Sequence, residues 1–260
     1  MNSLTMPKPW ERVFWPLAAF ALALAVWHVS VIWTGTKVLP SPMDVGRALV
    51  QLADHNILWK DILDSLRRVA IGFGAAAVLG ITLGLTLGWY PTINQIVNPV
   101  IQLLRPISPI AWIPLAIIVF GIGDYAATSL IFLGAFFPIT VACVDAVGNV
   151  PTVYRRIGRN FGLSPAQLLV RVVFPSALPQ IVVGLRIALG IAWLVVVAAE
   201  MVAVDSGLGY LIIDSRNSGK RYDLVVAAML VIGLIGLVLD FGFRRLERIQ
   251  SIRWGFQHGA

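Results

Sequence analysis

Arg155 to Pro179 reads R-R-I-G-R-N-F-G-L-S-P-A-Q-L-L-V-R-V-V-F-P-S-A-L-P, the longest strongly polar run between two long apolar segments. It holds four arginines (Arg155, Arg156, Arg159 and Arg171) and no acid. The pattern predicts two short helices with a turn at Phe161-Gly162-Leu163. Ser164 suits a helix N-cap, Pro165 the first helical position, and Gln167 completes a capping box. Leu168, Leu169, Val172 and Val173 then fall on one face at helical spacing. The segment is therefore structured, amphipathic and basic. On charge alone it is equally an ordinary cytoplasmic loop obeying the positive-inside rule.

Outward from this stretch the chain is apolar. Of 260 residues 58% are apolar and only 13% charged, whereas about a quarter of the residues of a soluble domain are charged. Several runs exceed the roughly 20 residues needed to cross a bilayer. Lipid permits helices or closed barrels, and these runs are too long for barrel strands. The expectation is an all-α, polytopic membrane protein, a single transmembrane domain over residues 1–260 with about six spans near 13–33, 68–90, 96–122, 125–147, 180–202 and 224–243. The net charge of +7 fits arginines beside anionic lipid rather than a nucleic-acid partner. Cys143, the single cysteine, reads as a small core residue, and there is no zinc-type Cys/His cluster.

The first run continues well past a small-x-small site at Ala21 to Ala25, which favours a membrane span over a cleaved leader. Leu39-Pro40-Ser41-Pro42 is a turn, and 44–53 suits a short amphipathic helix. Gly80, Gly84 and Gly88 repeat every four residues in the second span, so one face should pack closely on another helix. The third span is interrupted by Arg105-Pro106-Ile107-Ser108-Pro109 and by Pro114, and should bend or break. Residues 203–223, containing Gly207-Leu208-Gly209-Tyr210, read as a loop. Six spans place both termini and the 148–178 segment on one side. Ten Lys/Arg lie on that side and eight on the other, which leans toward cytoplasmic termini.

Gly162, nine residues, then Val172-Val173-Phe174-Pro175 resembles the EAA motif of ABC importer permeases (E-A-A, three residues, G, nine residues, I-x-L-P). Arg156, Ile157 and Gly158 stand where E-A-A is expected, and Val172 and Phe174 replace Ile and Leu. Further stretches resemble the permeases of nitrate, sulfonate, taurine and bicarbonate importers: Ser65 to Phe73, Arg105 to Leu115, Gly184 to Trp193, Ala199-Glu200-Met201, and Gly207 to Ile212. The resemblance implies a type I importer permease fold in a bacterial cytoplasmic (inner) membrane. It implies two permease copies, two ATPase subunits, and an extracytoplasmic binding protein that delivers a small solute such as nitrate, a sulfonate or taurine. It places ATPase coupling at Arg156, Gly158, Gly162, Leu163, Ser164 and Pro175 within 148–178. The chain has no G-x-x-x-x-G-K-[ST] stretch, so no cofactor is expected on it, and ATP and Mg belong to the partner ATPase.

Arg105, Arg186 and Glu200 are the ionisable residues deepest in the predicted spans and are pathway-lining candidates. Arg186 and Glu200, near span ends, can equally snorkel or cap. Asp240 is expected to pair with Arg244 four residues on, and Trp112 and Trp193 to pack within the bundle. A secondary transporter or channel working without an ATPase is the alternative, but no inverted pair of broken spans supports it. A membrane-embedded enzyme has less support still: His28, His55 and His258 are scattered, and no catalytic or metal motif occurs.

Overall fold

A computed structural model describes residues 11–35 and 38–247. Lys8, Lys37, Arg248, Arg253 and His258 lie outside the described residues. The described residues are helical, with no strand among them. α1 (Glu11–Thr34) is apolar all round and meets the rest of the protein through Trp27. α2 (Pro42–Asp54) starts at Ser41, whose side chain and that of Asp44 form a reciprocal capping box. Those Ser41 hydrogen bonds hold the Asp44 carboxyl below its ordinary value. α2 buries Val45, Ala48 and Leu52, an amphipathic face at helical spacing.

α3 (Ile57–Trp89) is 33 residues long. It begins eleven positions before the expected start of the second span, because the polar turns carrying Asp61, Ser65 and Arg68 are buried and bonded rather than looped out. The third span is broken, as its prolines require. α4 (Pro91–Leu104) and a 3₁₀ turn at Pro109–Trp112 leading into α5 (Ile113–Phe120) meet at 84°. α6 (Asp124–Gly148) follows, running between α3 and α9 (Phe174–Ala203). The expected loop at 203–223 instead contains α10 (Leu208–Asn217), and α11 (Tyr222–Glu247) closes the bundle. Among the described residues five helices are long and apolar enough to cross a membrane, six if the bent pair is one span.

The glycine repeat of α3 explains the closeness of α3 and α6. A Cβ at Gly80 would sit 3.0 Å from Ile139, one at Gly84 2.5 Å from the Cys143 Cβ, and one at Gly88 2.7 Å from Val147. Without side chains at these positions the two backbones come into direct contact. The helix that packs on this face is α6 of the same chain. Cys143 lies in that contact, fully buried.

Candidate functional site: the basic segment and the bundle it joins

The basic segment forms a cap at one end of the bundle. α7 (Thr152–Asn160) ends at Gly162, whose φ is +75°. The Leu163 N–H donates to Gly158 O at 3.1 Å and the Gly162 N–H to Arg159 O at 2.9 Å. This is a Schellman closure, which needs a left-handed residue at the position Gly162 occupies. One residue on, Ser164 accepts from the Gln167 N–H at 3.3 Å and its own N–H donates to Gln167 Oε1 at 3.0 Å. The turn at 161–163 is therefore fixed from both sides. Gly158 is buried against Leu168, and a Cβ there would collide with the Leu168 side chain. Its missing side chain sets how closely α7 approaches the next helix.

That next helix is not a separate short one, as the sequence suggested. α8 (Pro165–Leu168) runs through a π-helical turn at Leu169–Val173 directly into α9. The π turn absorbs the extra residue that joins an amphipathic surface helix to an apolar span. A displacement of the cap is thus carried into α9 without an intervening loop. Pro175 follows the π turn inside this continuous helix and offers no N–H to the turn before it.

The four arginines divide. Arg155 turns back toward the bundle: its Nη2 donates to the Val147 carbonyl at 2.5 Å, at the C-terminal end of α6, and its guanidinium lies 5.8 Å from the Trp89 ring centroid at the end of α3. Arg156, Arg159 and Arg171 are exposed, and Phe161 at the turn is 83% exposed. A cleft of about 470 Å³ beside the turn is lined by Tyr154, Ile157, Phe161, Leu163, Val172 and Pro175, among others. The surface therefore offers an apolar groove rimmed by cations. Arg155→Met is expected to leave α7 folded, since its terminal bonds are untouched, yet loosen it. Removing a charged hydrogen bond of about 1.5–3 kcal/mol should speed α7 amide hydrogen exchange about tenfold or more.

At the far end of α3, about 30 Å from Trp89 at 1.5 Å per residue, a buried polar cluster joins four helices. Arg68 is only 4% exposed. Its Nε donates to Asp124 Oδ1 at 2.7 Å, its Nη1 to Glu200 Oε1 at 2.8 Å and Ser206 O at 2.8 Å, and its Nη2 to Ser206 Oγ at 2.6 Å. Glu200, with 0% exposure, also accepts from Ser65 Oγ at 2.9 Å and from the Gly209 N–H at 3.0 Å. The Gly207 and Leu208 N–H groups donate to Asp61 Oδ1 and Ser65 Oγ at 3.1 and 3.0 Å. The orphan N–H groups at the start of α10 are thus satisfied by buried side chains of α3 and α9. This accounts for Gly207-Leu208-Gly209: Gly207 has φ +102°, and a Cβ at Gly209 would come within 2.8 Å of the Glu200 Cβ.

The structure thus places Glu200 inside protein rather than on an open surface. Arg186 is held by α11, its Nε donating to Asp240 Oδ1 at 2.6 Å and its Nη1 to Glu247 Oε1 at 3.4 Å. Asp240 does accept from Arg244, at 2.9 Å, but it also bridges to α9. Arg105 is exposed at the break after α4 and lines an open cleft of about 660 Å³ between α4 and α6. The sequence reading missed Arg68 as a member of the buried cluster. Its partners Asp124 and Glu200 are 56 and 132 positions away, so the only local signal is an arginine in the opening turns of a span.

The arrangement of a broken third span, a rigid cap and a continuous cap-to-span helix has relatives. Residues 76–251 match the family described as the binding-protein-dependent transport system inner membrane component. The chain belongs to this family. It is 35% identical over 254 residues to the taurine transport system permease protein of Escherichia coli strain K12, covering 90% of each chain. It is 36% identical over 247 residues to the nitrate import permease protein of Synechocystis, covering 92% of this chain and 89% of that one. The bicarbonate transport system permease protein of Synechococcus elongatus is 34% identical over 258 residues, with 93% and 92% covered. Among solved structures, the inward-facing MetNI methionine ABC transporter superposes with a TM-score of 0.67 at 21% identity, over 75% of this chain and 97% of that one. A bacterial alginate ABC transporter gives 0.65 at 16% identity, over 94% and 99%. These two share the fold. The protein is an ABC importer permease subunit of the inner membrane, and the resemblance drawn from its sequence motifs holds across nearly the whole chain.

Proposed function

We propose that this permease works as a pair of identical copies, docks two ATPase subunits through residues 148–178, and passes a small oxyanion or sulfonate received from an extracytoplasmic binding protein. The observation that carries the reading is the cap. Two helices are locked at a defined angle by Gly158, Gly162 and the Ser164 capping box and expose Phe161 and three arginines, and the second of them runs unbroken into α9. Force applied there by ATP-driven closure of a partner reaches the span directly. ATP and Mg are used by that partner, with no cofactor bound by this chain. Both termini lie on the cytoplasmic side with the cap. With the α3 glycines occupied by α6, the second copy meets a face of α9. Ile187, Leu194 and Met201 are exposed there at seven-residue intervals, a stripe along one side of a helix.

The test is capture. Tagged permease expressed with its genomic neighbours should bring down an ATPase in equal amount. Gly162→Leu forces a branched side chain into a left-handed position at a cost of about 1–2 kcal/mol. It should keep the bundle folded and abolish either ATPase capture or its coupling to uptake in proteoliposomes. No ATPase partner, together with uptake by this chain alone, overturns the reading.

A further inference from the structure

The cap presents cations that the protein itself does not answer. Between Asp145 and Glu200 the sequence contains no carboxylate. Arg156, Arg159 and Arg171 are exposed, and among the described residues none of them joins an ion pair. Arg68, Arg186 and Arg244, by contrast, are each held by a carboxylate of the same chain. The placement of the cap cations is fixed. α7 rests on the ends of α3 and α6 through Arg155, which reaches the Trp89 ring and the Val147 carbonyl, and on Leu168 through Gly158. At about 100° per residue, Arg156 stands about 160° around the helix from Gly158 and points away from these contacts. Arg159 lies on one flank of α7. The opposite flank carries Tyr154, Ile157 and Phe161, all exposed, which line the cleft of about 470 Å³ together with Arg171.

Two kinds of surface answer exposed cations at a membrane: anionic headgroups and an acidic protein. The geometry favours the protein. Arg156 is on the side of α7 remote from the ends of α3 and α6, so it faces away from the spans, whereas headgroups surround their sides. An amphipathic helix lying on a bilayer turns its apolar flank to the acyl chains. The apolar flank of α7 instead faces a cleft walled by Leu163, Val172 and Pro175 of the same protein. Exposed apolar side chains with a polar rim mark a protein interface. We infer that the ATPase surface received by the cap is acidic at its rim, with carboxylates facing Arg156, Arg159 and Arg171 around an apolar side chain seated in the cleft. The inference rests on the docking reading and adds the chemistry of the partner: the cap supplies the positive side of the ion pairs at this joint. Guanidinium forks meet carboxylates in two parallel hydrogen bonds, which fixes the orientation of the cap on the ATPase. Opposite charges also speed the encounter and make it sensitive to salt.

The experiment uses the full permease in lipid nanodiscs and the ATPase encoded beside it, purified separately. Arg156→Lys and Arg171→Lys are treated with a water-soluble carbodiimide, which joins an ammonium to a touching carboxylate, and the products are mapped by mass spectrometry. The expected result is a cross-link from each new lysine to an Asp or Glu of the ATPase. The wild-type cap holds no lysine and gives none from this segment. Binding is then read by interferometry from about 0.1 M to about 1 M salt, over which the screening length falls from about 10 to about 3 Å. Wild-type affinity should fall across this range. Arg156→Glu and Arg171→Glu should each weaken binding at the lower salt by about tenfold or more, since like charges then oppose, and reduce the salt dependence. Arg216→Glu, exposed on α10, should change neither. Wild-type amide exchange in α7 shows that the cap of each variant is folded. Salt-independent binding without a cap cross-link overturns the acidic rim and leaves the docking reading standing. A charge effect present in phosphatidylglycerol discs and lost in phosphatidylcholine discs assigns the cations to lipid and also overturns it. Absence of binding at every salt overturns the docking reading itself, and the acidic rim with it.

Discussion

Arg68→Met lowers the apparent melting temperature of the purified permease by roughly 10 °C. The estimate takes about 3–5 kcal/mol for breaking a buried ion pair from one side and about 2–4 °C per kcal/mol for a chain of this size. The substitution keeps the volume of the side chain but removes four donated hydrogen bonds. Glu200, at 0% exposure, then keeps only Ser65 and the Gly209 N–H as partners. Asp124 and the Ser206 carbonyl lose theirs. Arg68→Lys should rescue little, because one ammonium cannot reach Asp124, Glu200 and Ser206 in the directions a guanidinium fork does. Arg68→Met with Glu200→Gln removes the stranded charge. It should recover part of the loss, with a coupling of about 1 kcal/mol or more in a double-mutant cycle. Scanning fluorimetry in nanodiscs reads the wild type, Arg68→Met, Glu200→Gln, the double variant and Arg68→Lys. If the losses from Arg68→Met and Glu200→Gln simply add in the double variant, the pair is not coupled, and the cluster does not tie α10 to α3 and α9 in the way the contacts indicate.

The same cluster shows what local sequence can carry. The apolar runs mark the spans, because twenty residues of hydrocarbon-facing helix leave an unmistakable composition. Prolines and an arginine in the third span announce its break, since a missing N–H acts within one turn. The cap's turn and capping box are likewise written in adjacent residues, Gly162, Ser164, Pro165 and Gln167. The true start of α3 is not written this way. Lys60, Asp61, Asp64, Arg67 and Arg68 look like a solvated loop, and Asp61, Ser65 and Arg68 become buried only because α10 folds back and supplies N–H donors. For the same reason α10 reads as a loop from its glycines, whose role is to let its first turn approach Glu200. Asp240 illustrates a milder limit. Its spacing to Arg244 is local and correctly suggests a pair, but the bond to Arg186 depends on how α9 and α11 pack.

Gly84→Leu is expected to prevent recovery of folded permease altogether, and Gly84→Ala to lower its stability by about 1–3 kcal/mol or more, the range for overpacking a close contact. A Cβ at Gly84 would lie 2.5 Å from the Cys143 Cβ and 2.6 Å from the Thr140 carbonyl oxygen. Neither neighbour can swing away, because one is the first atom of a side chain and the other is backbone. Relief therefore requires moving α6 as a body. But α6 is held on its other side by α9, where a Cβ at Gly134 would already be 3.1 Å from Val195, so the displacement passes on to α9. Cys143→Gly should relieve Gly84→Ala only in part, since the Thr140 carbonyl stays in place. Gly74 provides the control within the same helix. Nothing lies within 4 Å of a Cβ built there, so Gly74→Ala should be neutral or stabilising by up to about 1 kcal/mol from helix propensity. Monodisperse yield on size exclusion and melting temperature separate the two positions. If Gly84→Ala and Gly74→Ala behave alike, the glycines of α3 are a compositional feature of the span and the α3–α6 approach is looser than described.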